Sequence, residues 1–196
     1  MNPAAFGAPP GACSLGASGA FGADRITRNV YDAAGQLLIV QRAYGTALQQ
    51  NYATYTYTLN GQQASVTDAK GNRTEWRYDG HDRQNRWVFP SPTTAGAVNE
   101  SDFESYEYDP AGNRTALRKR DTKVLGFTYD ALNRVTLKTV PASASGAAGY
   151  SVHYRYDVQG AQLYARFGST SGAGITNTYD GFGRLRTSTS TMGGFA

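Results

Sequence analysis

The sequence has few of the residues that form disulfide bonds, bind metals or carry out catalysis: among 196 residues there are one Cys and two His. Because Cys13 stands alone, an internal disulfide or a cysteine-based zinc site is excluded, and the fold must depend on packing. No run approaches the roughly 20 apolar residues of a membrane span. The N-terminal stretch lacks the basic and apolar regions of a signal peptide. We therefore predict no membrane span, and the compartment stays unknown from this chain.

Neither sign of charge predominates in the sequence. The net charge is +4, from 19 basic and 15 acidic residues that are spread along the chain. The only short basic run is RKR at 118–120, which is typical of a solvated face. Because neither a basic stripe nor an RNA-binding motif is present, we predict no nucleic-acid partner.

Groups for catalysis or metal binding are few. Neither His81 nor His153 lies near a Cys or a Gly-x-Ser-x-Gly elbow that could supply a nucleophile. The segments DAKGNR and DPAGNR superficially look like calcium loops but lack the dense carboxylates of such loops. We predict no catalytic, cofactor-binding or metal-binding residues, and hence a protein that is not an enzyme.

What the sequence does have is Tyr and Gly, 14 and 23 residues, arranged in a repeat. Seven tyrosines recur at intervals of 21 to 30 residues; an Asp usually follows each, and Gly, Asn or Asp stands four places after each Tyr. Asp at the first position of a type I turn caps the turn, and a left-handed residue at the fourth position returns the chain antiparallel. The pattern therefore predicts hairpin corners. The residues assigned to this structural turn motif are Tyr31, Asp32, Gly35, Tyr57, Gly61, Asp68, Gly71, Tyr78, Asp79, Asp82, Tyr108, Asp109, Gly112, Tyr129, Asp130, Asn133, Tyr156, Asp157, Gly160, Tyr179, Asp180 and Gly183.

The flanks of these corners predict strands. Trp76 and Tyr78, like the aromatic pairs before other corners, are two residues apart and therefore share one face of a strand. Further turns at DAKG 68–71 and RDTK 120–123 would lie at the opposite ends of the strands, where the longer repeats also place their extra residues. Two strands per corner give about fourteen strands of about six to eight residues. The predicted fold class is all-β, with antiparallel β-hairpin repeats forming a curled sheet or partial spiral shell.

Two segments are expected. Residues 1–24, rich in Gly, Ala and Pro and without alternation, are predicted to be a disordered lead-in. Residues 25–196 form the repeat region. Over that region the corners, with their trailing Gly-Asn-Arg or Asn-Arg, resemble the RHS/YD-repeat family.

The resemblance implies a fold and a role. Members of that family wind β-hairpin spirals into hollow shells, which enclose a C-terminal toxin domain in bacterial polymorphic toxins and insecticidal toxin complexes. A related barrel in the teneurins is part of an adhesion receptor. This chain has no evident autoproteolytic junction, no distinct toxin domain and few repeats, so it is expected to be a fragment of such a shell, extracellular or in the cell envelope.

Two functions of different classes are compatible with these observations. The first is a non-enzymatic wall that encloses or presents an effector domain, with further YD repeats or that domain as partners. The second is a carbohydrate or cell-surface binding module, in which exposed tyrosines stack on glycans. Aromatic residues that share one sheet face favour packing, because cross-strand aromatic pairs stabilise a sheet by about 0.2 to 1 kcal/mol each.

Overall fold

The computed structural model describes residues 25–143 and 145–192, and these contain strands and turns. The predicted lead-in, residues 1–24, lies outside the described residues. Among the described residues there is no helix suited to crossing a membrane. The strands are β1 (Thr27–Tyr31), β2 (Leu37–Arg42), β3 (Gln50–Tyr57), β4 (Gln63–Asp68), β5 (Arg73–Tyr78), β6 (Gln84–Pro90), β7 (Val98–Tyr108), β8 (Arg114–Arg118), β9 (Val124–Tyr129), β10 (Val135–Val140), β11 (Tyr150–Tyr156), β12 (Gln162–Phe167), β13 (Gly174–Tyr179) and β14 (Leu185–Ser190).

Strand order in the sheet follows the chain, from β1 to β14, and hairpin partners run antiparallel. The described residues form two compact units that divide after Phe103. The first unit holds β1 to β6 and the start of β7, and the second holds the rest of β7 and the strands that follow. The prediction of an all-β fold of antiparallel hairpins, with about fourteen strands, is confirmed.

The register of the hairpins is constant. In every hairpin closed by a Tyr corner, the residue before the Tyr pairs with the residue eight positions after the Tyr. The pairs are Val30↔Ile39, Thr56↔Ser65, Arg77↔Arg86, Glu107↔Ala116, Thr128↔Leu137, Arg155↔Tyr164 and Thr178↔Thr187. Because side chains alternate with a period of two, this register fixes which residues share a face in all seven hairpins.

The junctions between successive hairpins within each unit also keep one register. There the residue eight positions after one Tyr pairs with the residue three positions before the next Tyr. The pairs are Ile39↔Thr54, Ser65↔Glu75, Ala116↔Gly126, Leu137↔His153 and Tyr164↔Thr176. Within each unit, successive hairpins therefore pair in the same register.

The two faces of the first unit differ in chemistry. On one face Trp76 lies opposite Trp87, with ring centroids 6.3 Å apart, and Trp87 lies 4.5 Å from Phe89. On the other face Arg77 donates to Glu75 at 2.8 Å and to Glu100 at 3.0 Å. Hydrogen bonds to these carboxylates raise the pKa of Arg77 further above its ordinary value. Trp87 and Phe89 share this face because residues two apart along a strand point the same way.

Candidate functional site: the row of tyrosine-aspartate corners

The corners are seven turns of one geometry, at residues 32–35, 58–61, 79–82, 109–112, 130–133, 157–160 and 180–183. In the corner at 109–112, the Asp109 N–H donates to the Asn113 carbonyl at 2.9 Å and the Gly112 N–H donates to the Asp109 carbonyl at 3.0 Å. The register shifts by one residue beside each corner, as in a type I turn followed by a bulge. The same two backbone bonds occur in the other six corners.

The fourth residue of each corner has a left-handed backbone. A Cβ on Gly112 would meet nothing within 4 Å, so backbone conformation rather than crowding restricts this position. Asp82 and Asn133 reach the same conformation without being glycine. The φ angles are 80° at Gly35, 81° at Gly61, 61° at Asp82, 88° at Gly112, 61° at Asn133, 93° at Gly160 and 76° at Gly183.

The Asp side chain closes the corner from within. Oδ1 of Asp130 accepts the N–H groups of Leu132 and Arg134, at 2.9 and 3.0 Å. At the 58–61 corner Thr58 takes the place of Asp, and its hydroxyl accepts the Gln62 N–H at 3.1 Å. Asp, and less often Thr, is therefore required because the side-chain oxygen satisfies backbone donors that the turn leaves unpaired.

In four corners, those of Asp79, Asp109, Asp130 and Asp180, the second carboxylate oxygen is bound by the side chain of the residue that follows the corner. Arg83 Nε donates to Asp79 Oδ2 at 2.8 Å, and this hydrogen bond lowers the pKa of Asp79 to about 2. Hydrogen bonds from Arg134 and from Asn113 likewise lower the pKa of Asp130 and of Asp109. These carboxylates are charged at neutral pH and already hold hydrogen-bond donors.

The Tyr hydroxyls link successive corners. Tyr129 donates to the carbonyl oxygen of Arg114, the residue that follows the preceding corner by two positions, at 2.7 Å. The equivalent bonds are Tyr57 to Leu37 at 2.8 Å, Tyr78 to Gln63 at 2.8 Å and Tyr179 to Gln162 at 2.9 Å. Burial raises the pKa of Tyr129, so its hydroxyl keeps the proton that it donates. This link explains why Tyr rather than Phe stands at Tyr57, Tyr78, Tyr129 and Tyr179.

The residue that follows the corner makes a second link in four of the copies, from Gln36, Gln62, Asn113 and Arg134. Arg134 Nη1 donates to the Asp157 carbonyl in the next corner at 2.8 Å, and the guanidinium carbon lies 4.9 Å from the centre of the Tyr156 ring. Asn113 Nδ2 donates to Asn133 Oδ1 at 2.7 Å, again in the next corner. Gln36 and Gln62 reach the next corner in the same direction. These links were not predicted from the sequence; a long polar residue one place after the corner was the available signal.

Two turns of the same kind lie where further turns were predicted, at the opposite ends of the strands. Asp68 and Gly71 form one, where Asp68 Oδ1 accepts the Asn72 N–H at 2.8 Å and Gly71 has a φ of 85°. The other begins at Lys119 and has Thr122 at a φ of 68°. The turn predicted at 120–123 therefore starts one residue earlier than predicted.

The two histidines are not assembled into a site. The His81 N–H donates to Asp79 inside a corner, and His153 Nε2 lies 3.3 Å from the Ser151 hydroxyl. Among the described residues no group of three or more His, Cys, Asp or Glu is placed to hold a metal ion. An open cleft of about 580 Å³ lies beside Tyr52, Asp68 and Lys70 on the first unit.

The chain resembles known proteins in one stretch of its sequence and in its fold. Residues 108–145 match the RHS repeat family model, and the predicted resemblance to the RHS/YD-repeat family is thereby confirmed. No curated protein matches the chain.

The solved structures are toxin complexes. The chain resembles the Photorhabdus luminescens Tc holotoxin pore carrying the TccC3 mutation D651A, with a TM-score of 0.59 and 19% identity over 88% of this chain and 11% of that chain. It also resembles TcdB2-TccC3 without its hypervariable C-terminal region, with a TM-score of 0.64 and 21% identity over 83% of this chain and 9% of that chain. The likeness shows the hairpin fold, and the chain spans about a tenth of the length of these neighbours.

Proposed function

We propose that this RHS-repeat chain is a structural wall segment of a larger shell that encloses or presents a toxin or other effector domain. The observation that carries the proposal is the row of corners. Each corner closes on itself through backbone hydrogen bonds, and several corners also donate a side-chain hydrogen bond to the next corner, so polar groups of the site are used to join hairpins. The turn motif is accordingly assigned a structural role, and the segment itself is assigned no enzymatic activity.

The way in which hairpins meet supports a wall. Within the first unit, the hairpin that ends in β4 contacts the hairpin that begins with β5 through strand pairing, the Tyr78 hydroxyl and the Gln62 side chain. An architecture whose units contact only their neighbours extends by repetition. The described core is correspondingly thin, with Ala53, Val88 and Val152 as its buried apolar residues.

The structural neighbours support the effector part of the proposal. One of them is a TcdB2-TccC3 complex without a hypervariable C-terminal region, of which the chain covers 9%. A protein of that size has room for repeats and for a further domain. We infer that the partners of this chain are further YD repeats and an effector domain, and that the complete protein acts outside the cell or in the envelope.

A second candidate is carbohydrate binding, and the cleft beside Tyr52 favours it. Tyr52 is 43% exposed, and Asp68, Lys70 and Asn72 add polar groups around the cleft. An exposed aromatic ring bordered by hydrogen-bonding side chains suits the apolar face of a sugar. Against it, the Arg42 guanidinium lies 3.4 Å from the centre of the Tyr52 ring and already occupies one face.

A pair of measurements tests the proposal. Removal of β13 and β14 should lower the unfolding free energy by the amount that one hairpin and its interface contribute, and it should leave the remaining hairpins folded. A glycan array probed with the labelled chain should stay at background. Saturable glycan binding that is lost in Tyr52→Ala would replace the wall function by the binding function.

The shielding of an effector needs its own test. A protease-sensitive reporter domain placed inside a longer run of these repeats should be cleaved only after denaturant is added. Cleavage in native buffer at the rate of the free reporter would contradict shielding.

A further inference from the structure

The corner at 58–61 is closed by fewer side-chain hydrogen bonds than other corners. In five of the corners that begin with Asp, the carboxylate accepts the N–H of the third residue. Thr58 begins this corner instead, and among the described residues its hydroxyl accepts one N–H, that of Gln62, at 3.1 Å. The N–H of the third residue, Asn60, has no partner in the described part of the chain. One bond that holds the other corners closed is therefore missing here.

The same corner holds an Asn directly before a Gly. Asn60-Gly61 is the only such pair in the 196-residue sequence, and both residues are exposed. The Gly61 N–H donates to the Thr58 carbonyl at 3.0 Å, and this bond has to open before the Gly61 nitrogen is free to react. Because Gly has no Cβ, no side chain on it hinders the approach of its nitrogen to the Asn60 side chain. The pair therefore lies in a corner that has fewer bonds to break.

We propose that Asn60 is a site of spontaneous deamidation. The Gly61 backbone nitrogen forms a bond to Cγ of Asn60, and the bond between Cγ and Nδ2 breaks. The proton of the Gly61 N–H passes through water to the departing nitrogen, which leaves as ammonia. One water molecule then opens the five-membered imide at either of its carbonyls. One opening gives aspartate and the other gives an isoaspartyl linkage, and nothing is oxidised or reduced.

Both products change the link to the next corner. Asn60 Nδ2 donates to Asp82 Oδ1 at 2.7 Å, and this donor is lost with the ammonia. A carboxylate takes its place beside the Asp82 carboxylate, and like charges at such a distance repel. The isoaspartyl product also adds one carbon to the main chain of a connection whose length is the same in every corner. Deamidation therefore loosens the contact between two corners.

The rate of the reaction in the whole chain tests the proposal. The chain is kept in warm neutral buffer, and digestion followed by mass spectrometry with fragmentation locates each deamidated Asn. We expect Asn60 to be lost at least about tenfold faster than Asn133, because Arg134 adds a side chain that hinders ring closure. Gly61→Asp is the matched control, since Asp82 holds the equivalent left-handed place, and it should remove this difference. Equal rates at Asn60 in the parent chain and in Gly61→Asp would overturn the inference.

A second variant tests the part that the open corner plays. Thr58→Asp supplies the acceptor that the Asp corners have, and it should slow the loss of Asn60 at least about threefold in native buffer. The same substitution should have no effect in concentrated urea, where no corner is formed. An unchanged rate in native buffer, or equal slowing in urea, would show that the missing bond does not control the reaction and would contradict the proposal.

The effect on the link is measured with two further variants. Asn60→Asp imitates one product, and Asn60→Ser removes the donor without adding a charge. We expect a lower urea midpoint for Asn60→Asp than for Asn60→Ser at neutral pH, because only the former places a second carboxylate beside Asp82. An equal or higher midpoint for Asn60→Asp would contradict the loosening. The inference does not depend on the wall function, which the hairpin-deletion and glycan measurements test separately.

Discussion

The connections at the two ends of the strands differ in how much their length varies. The end that carries the tyrosine-aspartate corners is called the corner edge, and the other end is called the opposite edge. At the corner edge every connection between paired strands has five residues, from 32–36 to 180–184. At the opposite edge the connections have four to nine residues, from 69–72 to 141–149. A fixed connection length holds the register, and a variable one absorbs insertions without changing it. The corner edge therefore specifies the fold, and the opposite edge tolerates change.

The strongest test of this contrast is an insertion at each edge. One Ala inserted between Pro110 and Ala111 should lower the unfolding free energy by at least about 3 kcal/mol, because it disrupts the turn and shifts β8 by one residue. Two residues, Gly-Ser, inserted within 141–149 should cost well under about 0.6 kcal/mol, the cost of doubling a loop. Urea unfolding followed by circular dichroism measures both. Equal costs would show that the edges do not differ.

A smaller effect on the unfolding free energy is expected at the fourth residue of a corner, where the backbone is left-handed. Gly112→Val should destabilise the chain by at least about 1 kcal/mol, since a β-branched residue is disfavoured at a φ of 88°. Gly112→Asn should be nearly neutral, because Asn133 occupies the equivalent place.

The matched control for this substitution lies in a neighbouring corner. Gly80 is the second residue of its corner and has no positive φ, and a Cβ at this position would meet nothing within 4 Å. Val158 holds the equivalent place, so Gly80→Val should have little effect on the urea midpoint. Similar midpoints for Gly112→Val and Gly112→Asn would contradict the corner geometry.

Loss of one link between hairpins should cost less. Tyr129→Phe removes the hydrogen bond to the Arg114 carbonyl and should lower the unfolding free energy by about 1 kcal/mol. Tyr31→Phe is the control, since the Tyr31 hydroxyl only accepts a bond from Asn29 at 3.3 Å within its own strand. Thermal melts at low protein concentration compare the two variants. An equal loss of thermal stability in both would show that the hydroxyl link is not the reason for Tyr at this position.

The smallest effect expected is the acid sensitivity of one corner. The pKa of Asp79 is about 2 in the folded chain and 3.8 ordinarily, so its carboxylate stabilises the fold above about pH 4. This contribution is lost as the pH falls from about 4 to 2. Asp79→Asn should therefore lose less thermal stability between pH 5 and pH 2.5 than the parent chain does. The connection 141–149 has no carboxylate, and substitutions there should leave the acid dependence unchanged.

Local signals made the fold predictable. The Tyr-Asp-x-x-Gly pattern and the alternation before it depend on turn chemistry and strand period, which act over a few residues. The start of the turn at Lys119 was predicted one residue late, because its left-handed residue is Thr122, a residue type that rarely adopts this conformation.

The links between corners could not be predicted in the same way. The bond from Tyr57 to Leu37 joins residues twenty positions apart, and it exists only when two hairpins meet in one register. A periodic pattern shows that the hairpins are alike, but it does not show how far apart their edges are or which atoms meet. The same holds for the donation from Asn113 to Asn133.

The constant five-residue connection at each corner has a genetic consequence. An in-frame DNA crossover between equivalent codons of any two corners deletes or duplicates a whole number of hairpins and leaves the register of every remaining strand unchanged. A crossover within the variable connections changes only a loop. Genes built in this way can lengthen or shorten the encoded sheet in steps of one hairpin, and recombination between diverged copies yields new sequences that already fit their neighbours.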